Sequence, residues 1–130
     1  MNDQLHLIPT PKRSGSHPLR GAYLEACWTS VIGPSGVLLL RFVAGMTANG
    51  PVQLHPGDLA AVLGIGNTGG KNSRLEKTLD RLDRFGLLDR HGNQIHVPDR
   101  VHPLSAAALE RSCDLVHTWH RQLDRPERAA

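Results

Sequence analysis

The sequence predicts a mostly α domain carrying a small β-hairpin, and three observations predict it. An apolar stretch of helical length, Ser35 to Thr47, lies mid-chain. Between His55 and Phe85 a short apolar segment, a glycine-rich turn and a longer amphipathic segment follow one another. Two short β-prone runs then flank His91-Gly92-Asn93, which has hairpin turn chemistry. Helix, turn, helix and hairpin in that order are the plan of a winged helix-turn-helix, here with additional N-terminal and C-terminal helices and the hairpin as the wing.

Taken in order, Met1 to Arg20 holds Pro9, Pro11, Gly15 and Pro18 among polar and basic residues, and reads as a flexible N-terminal arm over 1–20. One domain is expected over 21–124, with a frayed tail at 125–130. Ala22 to Val31 carries an apolar stripe of Tyr23, Ala26, Cys27 and Val31 and predicts a helix that Gly33-Pro34 ends. Ser35 is placed to cap the next helix. Val37, Leu38, Leu39, Leu40, Phe42, Val43 and Met46 make that helix apolar on more than one side, so it belongs in the middle of the core. Asn49-Gly50-Pro51 stops it, and Val52 to Leu54 is long enough only for a small edge strand.

His55 to Asp58 starts a short helix with Leu59, Val62 and Leu63 facing inward and Gly64 as its left-handed cap. The turn Asn67 to Gly70 leads to a helix from about Lys71 to Phe85, which Gly86 terminates. Leu87 to Arg90 and Gln94 to Val97 are the hairpin strands. Pro98 and Pro103 bracket a linker. Ser105 caps a last helix, Ala106 to Leu123, on which Leu109, Val116 and Leu123 recur at seven-residue spacing.

Composition narrows the class. The 130-residue chain carries a formal charge of +3 and has a pI of about 9.3. That charge tolerates a polyanion without demanding one. Two cysteines far apart, Cys27 and Cys113, make no disulfide framework and suit a reducing cytoplasm. No signal-peptide h-region follows Lys12 and Arg13, and Arg41 breaks the longest apolar run, so no membrane partner is expected.

The helix from Lys71 sorts into sides at about 100° per residue. Leu75, Leu79 and Leu82 form its core side; Ser73, Arg74, Lys77, Arg81 and Arg84 share one exposed sector; Glu76, Asp80 and Asp83 fall beside it. A cationic stripe can meet phosphates and base edges, since Arg pairs bidentately with guanine and Asn with adenine. The residues near the start of such a helix, Asn67, Thr68, Lys71, Asn72, Ser73 and Arg74, would reach bases, while Lys77 and Arg81 would hold the backbone. Arg90 and His91 at the wing would touch the minor groove or backbone. Arg100 and His102 would extend a basic edge, and Lys12, Arg13 and Arg20 would serve as an arm. The plainer reading of the same helix is a solvated surface with local ion pairs, Asp80 with Arg84 and Lys77 with Asp80.

Other chemistries fit less well. The Gly64 to Asn72 stretch is not a nucleotide P-loop: Ile65 stands where the first Gly belongs, Asn72 where the magnesium-binding hydroxyl belongs, and a helix rather than a strand precedes it. Cys113, His117 and His120 have a spacing compatible with metal ligation, but Cys113 and His120 suit core or interface positions better, with His117 toward the edge of that side, and no metal or other cofactor is expected. No nucleophile elbow or paired-carboxylate arrangement stands out, so no enzyme is expected.

The blocks YLEACWTSVIGPSGVLLLRFV, DLAAVLGIGNTGGKNSRLEKTLDRLDRFGLL and VHPLSAAALERS resemble a group of small uncharacterised actinobacterial proteins with a winged-helix-like centre. They cover about Tyr23 to Ser112, and GIGNTGGKNS followed by TLDRLDRFGL is their most specific part. The resemblance implies the fold and brings no activity with it. The residues themselves lead to a double-stranded DNA-binding protein, a transcriptional regulator reading the major groove. The alternative is a winged-helix protein-interaction module without DNA. A homodimer through Leu109, Val116, Trp119 and Leu123 of the last helix is a further expectation.

Overall fold

The computed structural model describes residues 4–11, 17–66 and 73–124. Its framework starts with a strand, β1 (Leu5–Pro9), in which Leu5 and Leu7 turn into the core and are 1% and 0% exposed. β1 pairs antiparallel with β3 (Val52–Leu54) and parallel with β5 (Gln94–Val97), which pairs antiparallel with β4 (Asp89–His91). The result is a four-stranded mixed sheet in the order β3-β1-β5-β4. β2 (His17–Pro18) and β6 (Arg100–Val101) make a separate two-stranded pair.

This sheet corrects the expected mostly α winged helix-turn-helix. The described residues are 54% helical, but the hairpin does not stand as a wing on a helical domain. Its inner strand β5 carries β1 along its other edge, so both hairpin strands belong to the mixed sheet. The flexible-arm reading of 1–20 is corrected with it at Leu5–Pro9 and His17–Pro18, which form strands. Burial of Leu5 and Leu7 and a ladder of backbone bonds outweigh the proline content of this segment. Pro9 sits at the strand's end, where a missing N–H interrupts least. Lys12 and Arg13 lie outside the described residues.

A π-helical turn, Leu24–Trp28, runs directly into α1 (Thr29–Met46). Gly33 breaks α1 with φ 78° and ψ 163°, a left-handed φ that suits glycine, and Pro34 opens the second segment where its missing N–H is least missed. The two helices expected from sequence are therefore two axes joined at a kink. Leu24, Trp28, Ile32, Leu39, Leu40 and Val43 are buried along them. By length and composition Leu24–Met46 could also cross a membrane, with a mean hydropathy of 1.4; it is the one such helix among the described residues.

α2 (Pro56–Leu63) starts at His55, whose ring nitrogen accepts the Gly57 N–H at 3.1 Å, and ends at Gly64 in the left-handed conformation. Leu59, Ala60 and Leu63 face the core, whereas Val62, expected inward, is 63% exposed. α3 (Arg74–Arg84) packs against α1 and α2. The expected last helix is two pieces, α4 (Ala106–Glu110) and α5 (Asp114–Leu123). The Ser112 hydroxyl and N–H turn back onto the Ala108 and Leu109 carbonyls, and Cys113 is extended, which separates them.

Candidate nucleic-acid interface

Ser73 starts α3 as its N-cap: the hydroxyl accepts the Glu76 N–H at 3.1 Å. Leu75, Leu79 and Leu82 recur at helical spacing and are each 0% exposed, which fixes the rotation of the helix about its axis. That rotation leaves Arg74, Lys77, Arg81 and Arg84 exposed along the outer side. Among the described residues none of these four cations pairs with an acid, and the local pairs allowed by sequence, Asp80 with Arg84 and Lys77 with Asp80, do not form.

The acids of α3 face the hairpin instead. Arg90 stands opposite Ile95 in the β4–β5 register, and residues opposite one another share a face, so Arg90 shares the face of the buried Ile95 and reaches α3. Its guanidinium is 2.9 Å from a Glu76 carboxylate oxygen and 3.5 Å from one of Asp80. Its Nε donates to the Gly92 carbonyl at 3.0 Å, and its backbone N–H donates to the Asp83 carboxylate at 3.1 Å. The Arg90 side chain is 14% exposed and that of Glu76 19%. The expected wing contact at Arg90 is thereby corrected: this arginine faces inward to the helix.

The other candidates divide. His91 is exposed on the hairpin, 3.8 Å from Asp89, with its ring edge-on to His96. His102 is not part of a basic edge: its two ring nitrogens face the carbonyl oxygens of Pro103 and Phe85 at 2.9 and 3.0 Å, against the Trp28 ring. Arg100 lies in β6 opposite Pro18. Asn67, Thr68, Lys71 and Asn72 fall outside the described residues. Of the ten expected contact residues, Ser73, Arg74, Lys77 and Arg81 thus come together on α3 with Arg84. What sequence spacing missed is the tie between Arg90 and the acids. A strand residue matched to a helix edge through tertiary packing leaves no local signature.

The C-terminal cysteine and histidines do not gather either. Cys113 is exposed, while the His120 ring nitrogen meets the Tyr23 hydroxyl at 2.7 Å. Among the described residues no group of three or more His, Cys, Asp or Glu could hold a metal ion. Cys27 is buried under Tyr23, and burial pushes its thiol up. No family model matches this chain, and neither a curated protein nor a solved structure matches it.

Proposed function

We propose that the protein binds double-stranded DNA with the outer side of α3, as a transcriptional regulator working in the cytoplasm. The observation that carries this reading is the stripe of Arg74, Lys77, Arg81 and Arg84, exposed and without acid partners among the described residues, on a helix seated by three buried leucines. At 1.5 Å per residue the helix is about 16 Å long, a length that fits within a major groove. Cations presented along such a helix release counterions from a duplex, and bidentate arginines can read guanine. The two unbridged cysteines agree with a reducing compartment.

The test is a fluorescence-anisotropy titration with mixed-sequence duplexes at two salt concentrations. It compares wild type with Arg74→Ala/Lys77→Ala/Arg81→Ala. Binding should weaken steeply with salt, and the variant should flatten the log–log salt slope by up to about 3. Equal binding by the variant, or none by wild type at low salt, would overturn the reading.

A second reading, a protein-interaction surface, is favoured by α5, where Leu115 and Trp119 are 63% and 40% exposed one turn apart. A homodimer would use that side. Val116, once expected at such an interface, is 5% exposed and completes the core. Binding through this apolar pair would change little with salt.

A further inference from the structure

We infer that Arg90 is a positioning residue for the α3 surface: it neutralises and pins the helix's acidic edge while staying off the bound nucleic acid. This inference rests on the DNA-binding reading of α3. The helix carries four cations against three acids, and each cation stands within two residues of an acid: Arg74 and Lys77 beside Glu76, Arg81 beside Asp80, Arg84 beside Asp83. Charges that close lie within about 10 Å, the screening length at moderate salt, so a phosphate approaching the stripe also feels Glu76, Asp80 and Asp83.

Arg90 answers that repulsion from the side. It divides its donors among Glu76, Asp80 and the Gly92 carbonyl, and its backbone N–H takes Asp83. One strand residue thus engages every acid of α3. With 14% of its side chain exposed, it has little surface left for a ligand. A lysine cannot reproduce this, because one ammonium lacks the planar fork that spans two carboxylates and a carbonyl. Removing the guanidinium would return two carboxylates to the edge of the cationic stripe and loosen the hairpin's hold on the helix.

The test is a cycle on one mixed-sequence duplex, using wild type, Arg90→Met, Glu76→Gln/Asp80→Asn and the three changes together, with a thermal melt of each. Arg90→Met should weaken binding about tenfold, within the coupling seen for neighbours in one ion-pair network. Adding Glu76→Gln/Asp80→Asn should restore most of that loss. A loss that the acid changes do not restore, with a salt slope reduced by about 1, would mean that Arg90 itself touches the phosphates and would overturn the inference alone. Absence of binding by wild type would overturn the DNA reading and the inference with it. Because Arg90→Met also breaks a fold contact, a second measurement uses the intact protein. The arginine Nε–H resonances of Arg74 and Arg81 should shift on adding duplex while that of Arg90 stays in place. A comparable shift at Arg90 would contradict the assignment.

Discussion

α3 and α5 are amphipathic helices of 11 and 10 residues on the same core, yet they are held by different forces. α3 seats Leu75, Leu79 and Leu82, each 0% exposed. A fully buried leucine contributes about 1.5–3 kcal/mol. α5 has one buried residue, Val116, with Leu123 partly buried against the core, and adds polar contacts. The Tyr23 oxygen accepts the Leu104 N–H at 2.9 Å and lies 2.7 Å from the His120 ring nitrogen; His17 stacks on Tyr23 and meets the Asp124 carboxylate at 2.8 Å. Such hydrogen bonds are worth about 0.5–1.5 kcal/mol each in net terms. The difference teaches where a recognition surface can be built. α3 presents its cations from a fixed frame, so little ordering remains to be done on binding. With fewer buried side chains, α5 is expected to open before α3.

Core truncation should show the contrast most strongly. Leu79→Ala should cost about 2–5 kcal/mol in denaturant unfolding. Val116→Ala should cost less, about 2 kcal/mol for two buried methyl groups. Equal costs would break the comparison. Next, Tyr23→Phe should lose about 1–3 kcal/mol, because the Leu104 N–H and the His120 nitrogen lose their partner. Hydrogen exchange should quicken in α5 and stay slow in α3; quickening in both would show that the two helices open together.

A third effect is confined to alkaline solution. Burial raises the Tyr23 hydroxyl above its ordinary value, although the Leu104 N–H bond opposes the rise. The folded protein therefore prefers the neutral phenol. Its contribution is complete below the ordinary tyrosine value of about 10 and is lost as pH climbs toward the raised folded value. The chain has a single tyrosine, so phenolate absorbance reports it alone and should appear only together with unfolding. Ionisation near pH 10 in a folded protein would contradict the burial. The smallest effect is expected at the exposed pair: Leu115→Ala should change the stability of the monomer by no more than about 0.5 kcal/mol. A larger, concentration-dependent loss would mean that a second copy covers it.

What the sequence made legible was local. Gly86 ends α3, Gly64 caps α2, Gly33-Pro34 marks the kink, and Gly92-Asn93 forms the hairpin loop, whereas the cap at Ser73 was missed, the helix being expected from about Lys71. These signals act within a few residues. β1 was hidden because its two buried leucines sit among prolines and polar residues, and because its parallel partner Gln94–Val97 lies near the other end of the chain. Missing that strand turned a mixed sheet into a wing. The cationic stripe followed from helical spacing alone. The role of Arg90 did not, because its partners Glu76, Asp80 and Asp83 meet it only after the hairpin folds back on α3.

The most direct test is an amide chemical-shift titration of the labelled protein with a mixed-sequence duplex at low salt. The shifts should concentrate on Ser73 to Arg84 of α3, leave Leu115 and Trp119 of α5 unmoved, and vanish as salt is raised. Shifts centred on α5, or none anywhere at low salt, would contradict the assignment of α3 as the nucleic-acid surface.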